Sequence, residues 1–115
     1  MAKNKRYTLD FRVWFNSDEE KLLGKGRVEL LERINKTGSI LQAAEGMKMS
    51  YRQAWQMVKE INERAKSPLV EKQLGGKNGG GAIVTEEGKK AIEQFHKLEN
   101  NVKAFIQKES KKIKF

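Results

Sequence analysis

Residues 38–55, GSILQAAEGMKMSYRQAW, decide the fold of this 115-residue chain. Ser39 and Ser50 each precede a helical pattern and are followed three residues later by a glutamine. This is a capping box, in which the hydroxyl accepts a backbone N–H and the glutamine side chain reaches back. The small side chains of Ala43 and Ala44 allow a second helix to approach closely. Two capped helices joined by a short turn predict a helix-turn-helix.

The other helices are predicted from apolar residues at helical spacing and from residues that start or stop helices. An apolar stripe begins after Gly26 and stops at Gly38, and glycine is a usual residue just past a helix C-terminus. The helix that Ser50 opens is expected to end near Ala65, and Thr85 caps a final long helix. These signals place three helices within residues 26–65 and a fourth at residues 86–109.

Two β-hairpins are predicted, one on each side of these helices. Residues Tyr7–Phe15 alternate apolar and polar side chains, as in a half-buried strand, and a turn at Asn16–Asp18 leads to a second strand at Glu19–Leu23. Downstream, strands at residues 69–74 and 82–84 flank a run with five glycines in seven residues. We therefore expect an N-terminal hairpin at residues 7–23 and a glycine-tipped wing at residues 69–85.

The composition favours a polyanionic partner and argues against several other classes. Lys and Arg total 24 against 15 Asp and Glu, and this net charge of +9 suits the neutralisation of phosphates. A soluble surface with basic tails is the alternative. There is no cysteine, His96 is the lone histidine, and no apolar run could span a membrane. Without such a span we expect a cytoplasmic chain. Because no acid–base, nucleophile or metal-ligand set is present, we also expect no cofactor, no metal and no enzymatic activity.

The polar face of the second helix of the helix-turn-helix is the predicted DNA-reading surface. Such a helix lies in the major groove, where Arg52 can pair with guanine and Gln53 or Gln56 with adenine, while Lys59 is placed for a phosphate. Lysines of the wing supply charge towards the sugar-phosphate backbone, although a wing that makes no contact is the alternative. The predicted DNA-binding residues are Ser39, Ser50, Tyr51, Arg52, Gln53, Gln56, Lys59, Lys72, Lys77 and Asn78.

Apolar side chains on this helix and on the last one are predicted to serve packing. Trp55 falls on the apolar face of its helix and is predicted to be a core residue rather than a base-stacking platform. The final helix has apolar residues at heptad spacing, and this strip would be exposed on a monomer, which favours a homodimer. The alternative is that the helix folds back onto the Tyr7–Phe15 strand. The predicted dimerisation residues are Ala91, Phe95, Leu98, Val102 and Phe105.

Three motifs resemble the DNA-binding domain of the molybdate-responsive ModE regulators, which has a LysR-like winged helix. They are SYR-x-A-W within residues 49–55, GGK-x-GGG within residues 75–82, and TEEG at residues 85–88. The resemblance covers residues 7–105. It implies a transcription regulator that dimerises through its terminal helix. It also implies that Ser50, Tyr51 and Arg52 start the recognition helix and that Lys77 lies in the wing.

The chain departs from the pattern of that family at its C-terminus. Full-length members carry C-terminal molybdate-binding domains, whereas this chain ends at Phe115 with a lysine-rich tail and has no evident oxyanion pocket. This puts molybdate sensing by this chain in doubt, and we expect either a stand-alone form or a sensor that lies elsewhere.

Taken together, these patterns predict a mainly α fold with a small β content (α+β), organised as one winged helix-turn-helix domain over residues 1–115. The predicted function is that of a homodimeric regulator of transcription that binds double-stranded DNA sequence-specifically. The alternatives are a winged-helix protein-interaction module and a non-specific architectural DNA binder.

Overall fold

The computed structural model describes residues 3–73 and 81–115, and within them it has four helices and two antiparallel two-stranded sheets. Their order along the chain confirms the predicted α+β winged helix-turn-helix fold. The elements are β1 (Trp14–Ser17), β2 (Glu20–Gly24), α1 (Lys25–Thr37), α2 (Ile40–Gly46), α3 (Tyr51–Arg64), β3 (Val70–Gln73), β4 (Gly81–Val84) and α4 (Glu86–Ser110).

Side-chain caps start α2 and α3 where the sequence predicted them. Ser39 Oγ accepts the Gln42 N–H at 3.1 Å, and Ser50 Oγ accepts the Gln53 N–H at 3.0 Å. The second predicted bond of this capping box, from the Ser39 N–H to the Gln42 side chain, is wrong. The Ser39 N–H donates to Thr37 Oγ1 at 3.2 Å, because the chain leaves α1 so close to α2 that this hydroxyl lies within reach of it.

The turn between α2 and α3 is a Schellman motif built on a lysine. The Met49 N–H donates to the Ala44 carbonyl at 3.0 Å and the Lys48 N–H to the Glu45 carbonyl at 3.1 Å, which is the paired pattern of this helix end. Lys48 has a φ of 56°, in the left-handed region where glycine is usual. The motif reverses the chain within a few residues and so fixes α3 against α2.

The N-terminal hairpin is shorter than predicted, and the expected strand over Tyr7–Phe15 is wrong for residues 7–13. Trp14 pairs with Gly24, and α1 begins at the next residue, so no partner strand remains for the chain before Trp14. The turn also lies later than expected, at Asp18 and Glu19, whose φ values of 47° and 73° suit a tight two-residue hairpin loop.

The core is centred on α1, which contacts α2, α4, β2 and β4. Both hairpins and all four helices contribute buried apolar side chains to a single cluster, so the wing and the helix-turn-helix share one core. The buried residues are Leu23, Val28, Leu30, Leu31, Ile34, Ile40, Ala43, Ala44, Ala54, Val58, Ile61, Leu69, Val70, Ala82, Val84 and Phe95.

The start of α4 lies unusually close to the wing. Thr85 Oγ1 accepts the Gly88 N–H at 3.0 Å, and the Thr85 N–H donates to the Leu69 carbonyl at 3.0 Å. A Cβ on Gly88 would collide with that same Leu69 carbonyl oxygen and would lie 2.6 Å from Val84 Cγ1. Only a glycine lets α4 leave β4 at this distance.

The second half of α4 has little contact with the rest of its own chain. Gly88 and Phe95 are the buried residues of this helix, so nothing after Phe95 is buried in it. Phe95 is only 1% exposed, and the centre of its ring lies 6.3 Å from the centre of the Phe15 ring in a T-shaped arrangement. Its assignment to a dimer surface was therefore wrong, because Phe95 belongs to the core. The contact between Phe95 and Phe15 agrees with the alternative that α4 folds back onto the N-terminal strand, but only for the first half of α4.

Candidate nucleic-acid interface

The exposed face of α3 carries the residues predicted to read DNA. Arg52, Gln53, Gln56 and Lys59 are all exposed, whereas Ala54, Val58 and Ile61 on the opposite face are buried in the core. Successive members of this set of four are one or three positions apart, so they lie side by side along about the first two and a half turns of the helix. The surface is polar, and its two fixed charges are positive.

The N-terminal end of α3 presents polar groups beside this face. Ser50 is exposed and caps the helix, and the Tyr51 side chain is 47% exposed. Unpaired N–H groups at the start of a helix and its dipole favour an anion there. Ser39, at the start of α2, is half-buried and caps that helix in the same way.

Arg64 fastens α3 to the N-terminal hairpin. Its Nη1 donates to the Lys21 carbonyl at 2.7 Å, and its Nε lies 2.8 Å from a carboxylate oxygen of Glu20. In the opposite direction, Ser17 Oγ donates to the Arg64 carbonyl at 2.6 Å. Both strands of the hairpin thus hold the C-terminal turn of α3, and the hairpin acts as a brace behind the exposed face.

Asn62 fastens α3 to the wing. Its side-chain oxygen accepts the N–H groups of Leu69 and Val70 at 2.9 and 3.2 Å, and its amide nitrogen donates to the Val70 carbonyl at 2.9 Å. One side chain therefore satisfies three backbone groups at the start of β3. This fixes the direction in which the wing leaves the helix.

An ion pair joins the middle of α3 to α1. Arg27 Nη2 donates to Glu60 Oε1 at 2.6 Å, and both side chains are largely shielded from solvent. The hydrogen bond from Arg27, together with its positive charge, lowers the pKa of the Glu60 carboxyl below its ordinary value, although partial burial opposes this. The carboxylate form of Glu60 therefore helps to hold α3 against α1.

Trp55 is not the core residue that the sequence predicted. Its side chain is only partly buried, at the seam between α3 and β3. The Nζ atoms of Lys59 and Lys72 each lie 5.6 Å from the centre of its ring. The periodicity of α3 indicated the inner side for Trp55, but the wing covers only part of that side, which leaves the ring of the indole accessible to the two lysines.

The wing is formed by β3 and β4, in which Lys72 pairs with Ala82 and Gln73 with Gly81. Lys72 is exposed on β3, next to the exposed face of α3. The predicted contacts Lys77 and Asn78 lie outside the described residues.

The tethers made by Asn62 and Arg64 were missed by the sequence reasoning. Both residues lie in the last turn of α3, where a polar side chain has many ordinary explanations. The partners of Arg64 are 43 and 44 positions away in the chain, at Lys21 and Glu20, and no local pattern encodes that distance. An asparagine that shortly precedes a predicted strand was the only available signal.

Neither a metal site nor a membrane-spanning helix is found in the described residues. In residues 3–73 and 81–115, no group of three or more His, Cys, Asp or Glu side chains could hold a metal ion. Within those same limits, none of the helices has the length and apolar character needed to cross a membrane. His96 instead bridges two helices, with Nε2 3.1 Å from a carboxylate oxygen of Glu32.

A braced helix-turn-helix with a basic polar second helix and a following hairpin defines a winged helix-turn-helix domain of the kind that transcription regulators use to bind DNA. The chain belongs to the lysR family of bacterial regulatory helix-turn-helix proteins, whose model matches residues 26–89. This match runs from α1 to the first turn of α4 and so includes the whole candidate interface.

Individual relatives point to one group of regulators. The molybdenum transport protein ModE of Azotobacter vinelandii is 31% identical over 102 residues, which are 89% of this chain and 38% of that protein. The transcriptional regulator ModE of Haemophilus influenzae is 41% identical over 73 residues, covering 64% and 29% of the two chains. The molybdenum-pterin-binding protein MopB of Rhodobacter capsulatus is 41% identical over 80 residues, covering 70% and 30%. The chain thus spans less than two-fifths of the length of these relatives.

Proposed function

We propose that this domain binds double-stranded DNA sequence-specifically as a homodimeric regulator of transcription in the cytoplasm. The observation that supports this most strongly is the exposed polar face of α3. That face is held by Arg64 to the N-terminal hairpin, by Asn62 to the wing and by Glu60 to α1. A reading helix needs such bracing, because hydrogen bonds to bases discriminate only when the donors are held in register with the groove.

The residues on this face have the chemistry for direct readout. The Arg52 guanidinium can donate two parallel hydrogen bonds to guanine, and the amides of Gln53 and Gln56 can each pair with adenine. Ser50 and Tyr51 lie at the N-terminal end of α3, where they can bind a backbone phosphate. Ser39 is assigned a phosphate contact at the N-terminal end of α2. Lys59 and Lys72 supply charge towards the backbone, and we assign Lys77 to the same task and Asn78 to a neutral hydrogen bond with the backbone.

The proposed dimer forms through the second half of α4. Leu98 is 37% exposed and Phe105 61% exposed, and both point away from the core of their own chain. Val102 lies between them along the helix and is half-buried, as is Ala91 nearer the core. A two-fold dimer would cover this strip and present two α3 helices to successive major grooves, about 34 Å apart.

The test of this function is a selection of bound sequences from random duplexes, followed by titration of the selected duplex. Arg52→Ala is expected to weaken binding to that duplex by about 1–3 kcal/mol and to relax the preference at one base position. Arg12→Ala is the matched control, since it removes an exposed arginine that lies far from α3 in the sequence. Binding and base preference that are unchanged in Arg52→Ala would show that the assigned surface is wrong.

The same selection separates the proposed function from its alternatives. A protein-interaction module would retain no duplex at moderate salt, and an architectural binder would retain duplexes with no shared sequence. Because the names of several relatives refer to molybdenum, the selection is run with and without molybdate. We expect the same sequences to be recovered in both cases.

A further inference from the structure

Two lysines from different elements converge on one tryptophan at the edge of the candidate interface. Lys59 belongs to α3 and Lys72 to β3, yet the Nζ atom of each lies 5.6 Å from the centre of the Trp55 ring. Trp55 and Lys59 are four positions apart and therefore lie on the same side of α3. Lys72 approaches from the wing, so the indole ring marks the junction of the two elements.

The surroundings of the Trp55 ring are mostly apolar. Trp55 lines a cavity of about 300 Å³ together with Ile40, Val58 and Val70, which lie on α2, α3 and β3. These neighbours are buried parts of the core, so the ring stands beside an apolar part of the molecule. The ammonium groups are thereby gathered by a rigid aromatic surface, which attracts cations through the negative charge on its face.

Among the described residues, neither ammonium group has an acidic partner. Within residues 3–73 and 81–115, every ion pair involves other residues, although Glu63 lines the same cavity. Each ammonium group lies 5.6 Å from the same ring centre, so an anion at this junction would be attracted by both charges and would reduce the repulsion between them. An ammonium group is a compact charge with three donors, which suits the oxygens of a phosphate.

We propose that Trp55 is a positioning residue that holds Lys59 and Lys72 as a paired binding site for the DNA backbone phosphate at the junction of α3 and the wing. This inference rests on the proposed function, since it assigns the phosphate to bound DNA. Trp55 itself contacts neither base nor phosphate. It converts two long, flexible side chains from separate elements into one site, which ties the position of the wing to the position of the reading helix.

A double-mutant cycle tests this inference by titration of a labelled duplex at several salt concentrations. Lys59→Gln with Lys72→Gln is expected to weaken binding to all sequences and to lower the salt slope by about 1, because one phosphate contact is lost. Trp55→Leu is expected to weaken binding about three- to tenfold when both lysines are present, and to have no further effect when they are absent. Lys21→Gln with Lys97→Gln, which removes the same charge elsewhere, should change the slope much less.

The conservative variant separates positioning from a merely structural role. Trp55→Phe keeps an aromatic face and is expected to retain most of the salt slope, whereas Trp55→Leu loses part of it. Equal weakening by Trp55→Leu in both lysine backgrounds would overturn the inference. If the wild-type domain binds no duplex at all, the proposed function fails first, and the two failures are therefore distinguishable.

A fluorescence experiment keeps the test decisive even if Trp55→Leu does not fold. The chain has two tryptophans, so Trp14→Phe leaves Trp55 as the sole tryptophan, which is excited selectively over the two tyrosines. Adding unlabelled duplex is expected to change the emission of Trp55 as the ammonium groups move to the phosphate, and the Lys59→Gln, Lys72→Gln background should abolish that change. Emission that does not respond to saturating duplex would overturn the inference.

Discussion

At the scale of single residues, the local signals of the sequence were mostly sufficient. Ser39, Ser50 and Thr85 cap the helices that they were predicted to cap, because a cap involves only backbone groups two or three residues away. Trp55 was predicted less well. Its exposure depends on how far β3 extends across α3, and that is a property of the packed molecule and not of the helix pattern.

Lys48 provides a prediction at this scale. A lysine in the left-handed region is strained by about 1–2 kcal/mol, and glycine removes that strain at some cost in the entropy of the unfolded chain. Lys48→Gly is therefore expected to raise the free energy of unfolding by about 0.5–1 kcal/mol, measured by urea denaturation. Lys48→Ala serves as the control, because alanine keeps the steric strain and should bring no such gain.

At the scale of elements, the helices and the wing followed from periodicity, but the first strand did not. The alternation over Tyr7–Phe15 correctly indicated that a strand is present, but the strand begins only at Trp14. A strand also needs a partner of matching length, and β2 ends where α1 begins. The tethers of α3 escaped prediction for a similar reason, because Asn62 and Arg64 act on groups that only the assembled elements bring together.

The contact between α1 and α3 gives a prediction about pH. Because the pKa of Glu60 is lowered in the folded protein, the unfolded chain binds the proton first as the pH falls. The stabilisation is therefore fully present above about pH 6 and is lost as the pH falls through and below about 4.3, the ordinary value for glutamate. Glu60→Gln should be less stable than wild type at pH 7, and the gap should narrow towards pH 3.

Urea denaturation at each pH measures this gap. Glu63→Gln is the matched control, since it removes an exposed carboxylate of the same helix that makes no bond to Arg27. A gap between Glu60→Gln and wild type that stays constant from pH 7 to pH 3 would contradict the assignment of Glu60.

At the scale of the whole molecule, the domain is elongated, with extents of 67 × 30 × 21 Å. The second half of α4 and the chain before Trp14 lie side by side, separated by a cleft of about 680 Å³. Leu9 lines this cleft, and Leu98 and Phe105 are exposed apolar residues of α4 that lie outside its lining. Such surface is costly in water, and it is the feature that supports the proposed dimer.

The dimer gives the prediction that belongs to this scale. Phe105→Glu would place a charge in the covered strip and is expected to convert the dimer to a monomer in sedimentation equilibrium. Binding to a duplex with two half-sites should fall far more than binding to one half-site, because the linkage between the two α3 helices is lost. Gln94→Glu adds the same charge to a polar, exposed position of α4 and should leave the assembly intact. A Phe105→Glu variant that remains dimeric would contradict the proposed interface.

The close seat of Gly88 against Leu69 has a consequence for the geometry of regulation. In the proposed dimer, α4 sets the distance between the two copies, and the wing and α3 set where each copy meets DNA. The helix α4 and the wing meet at Gly88, where not even a methyl group fits. A side chain at position 88 would tilt α4 relative to the wing and would leave the DNA-binding surface of each copy intact. Gly88, which has no side chain, would then set the number of base pairs between the two half-sites of an operator.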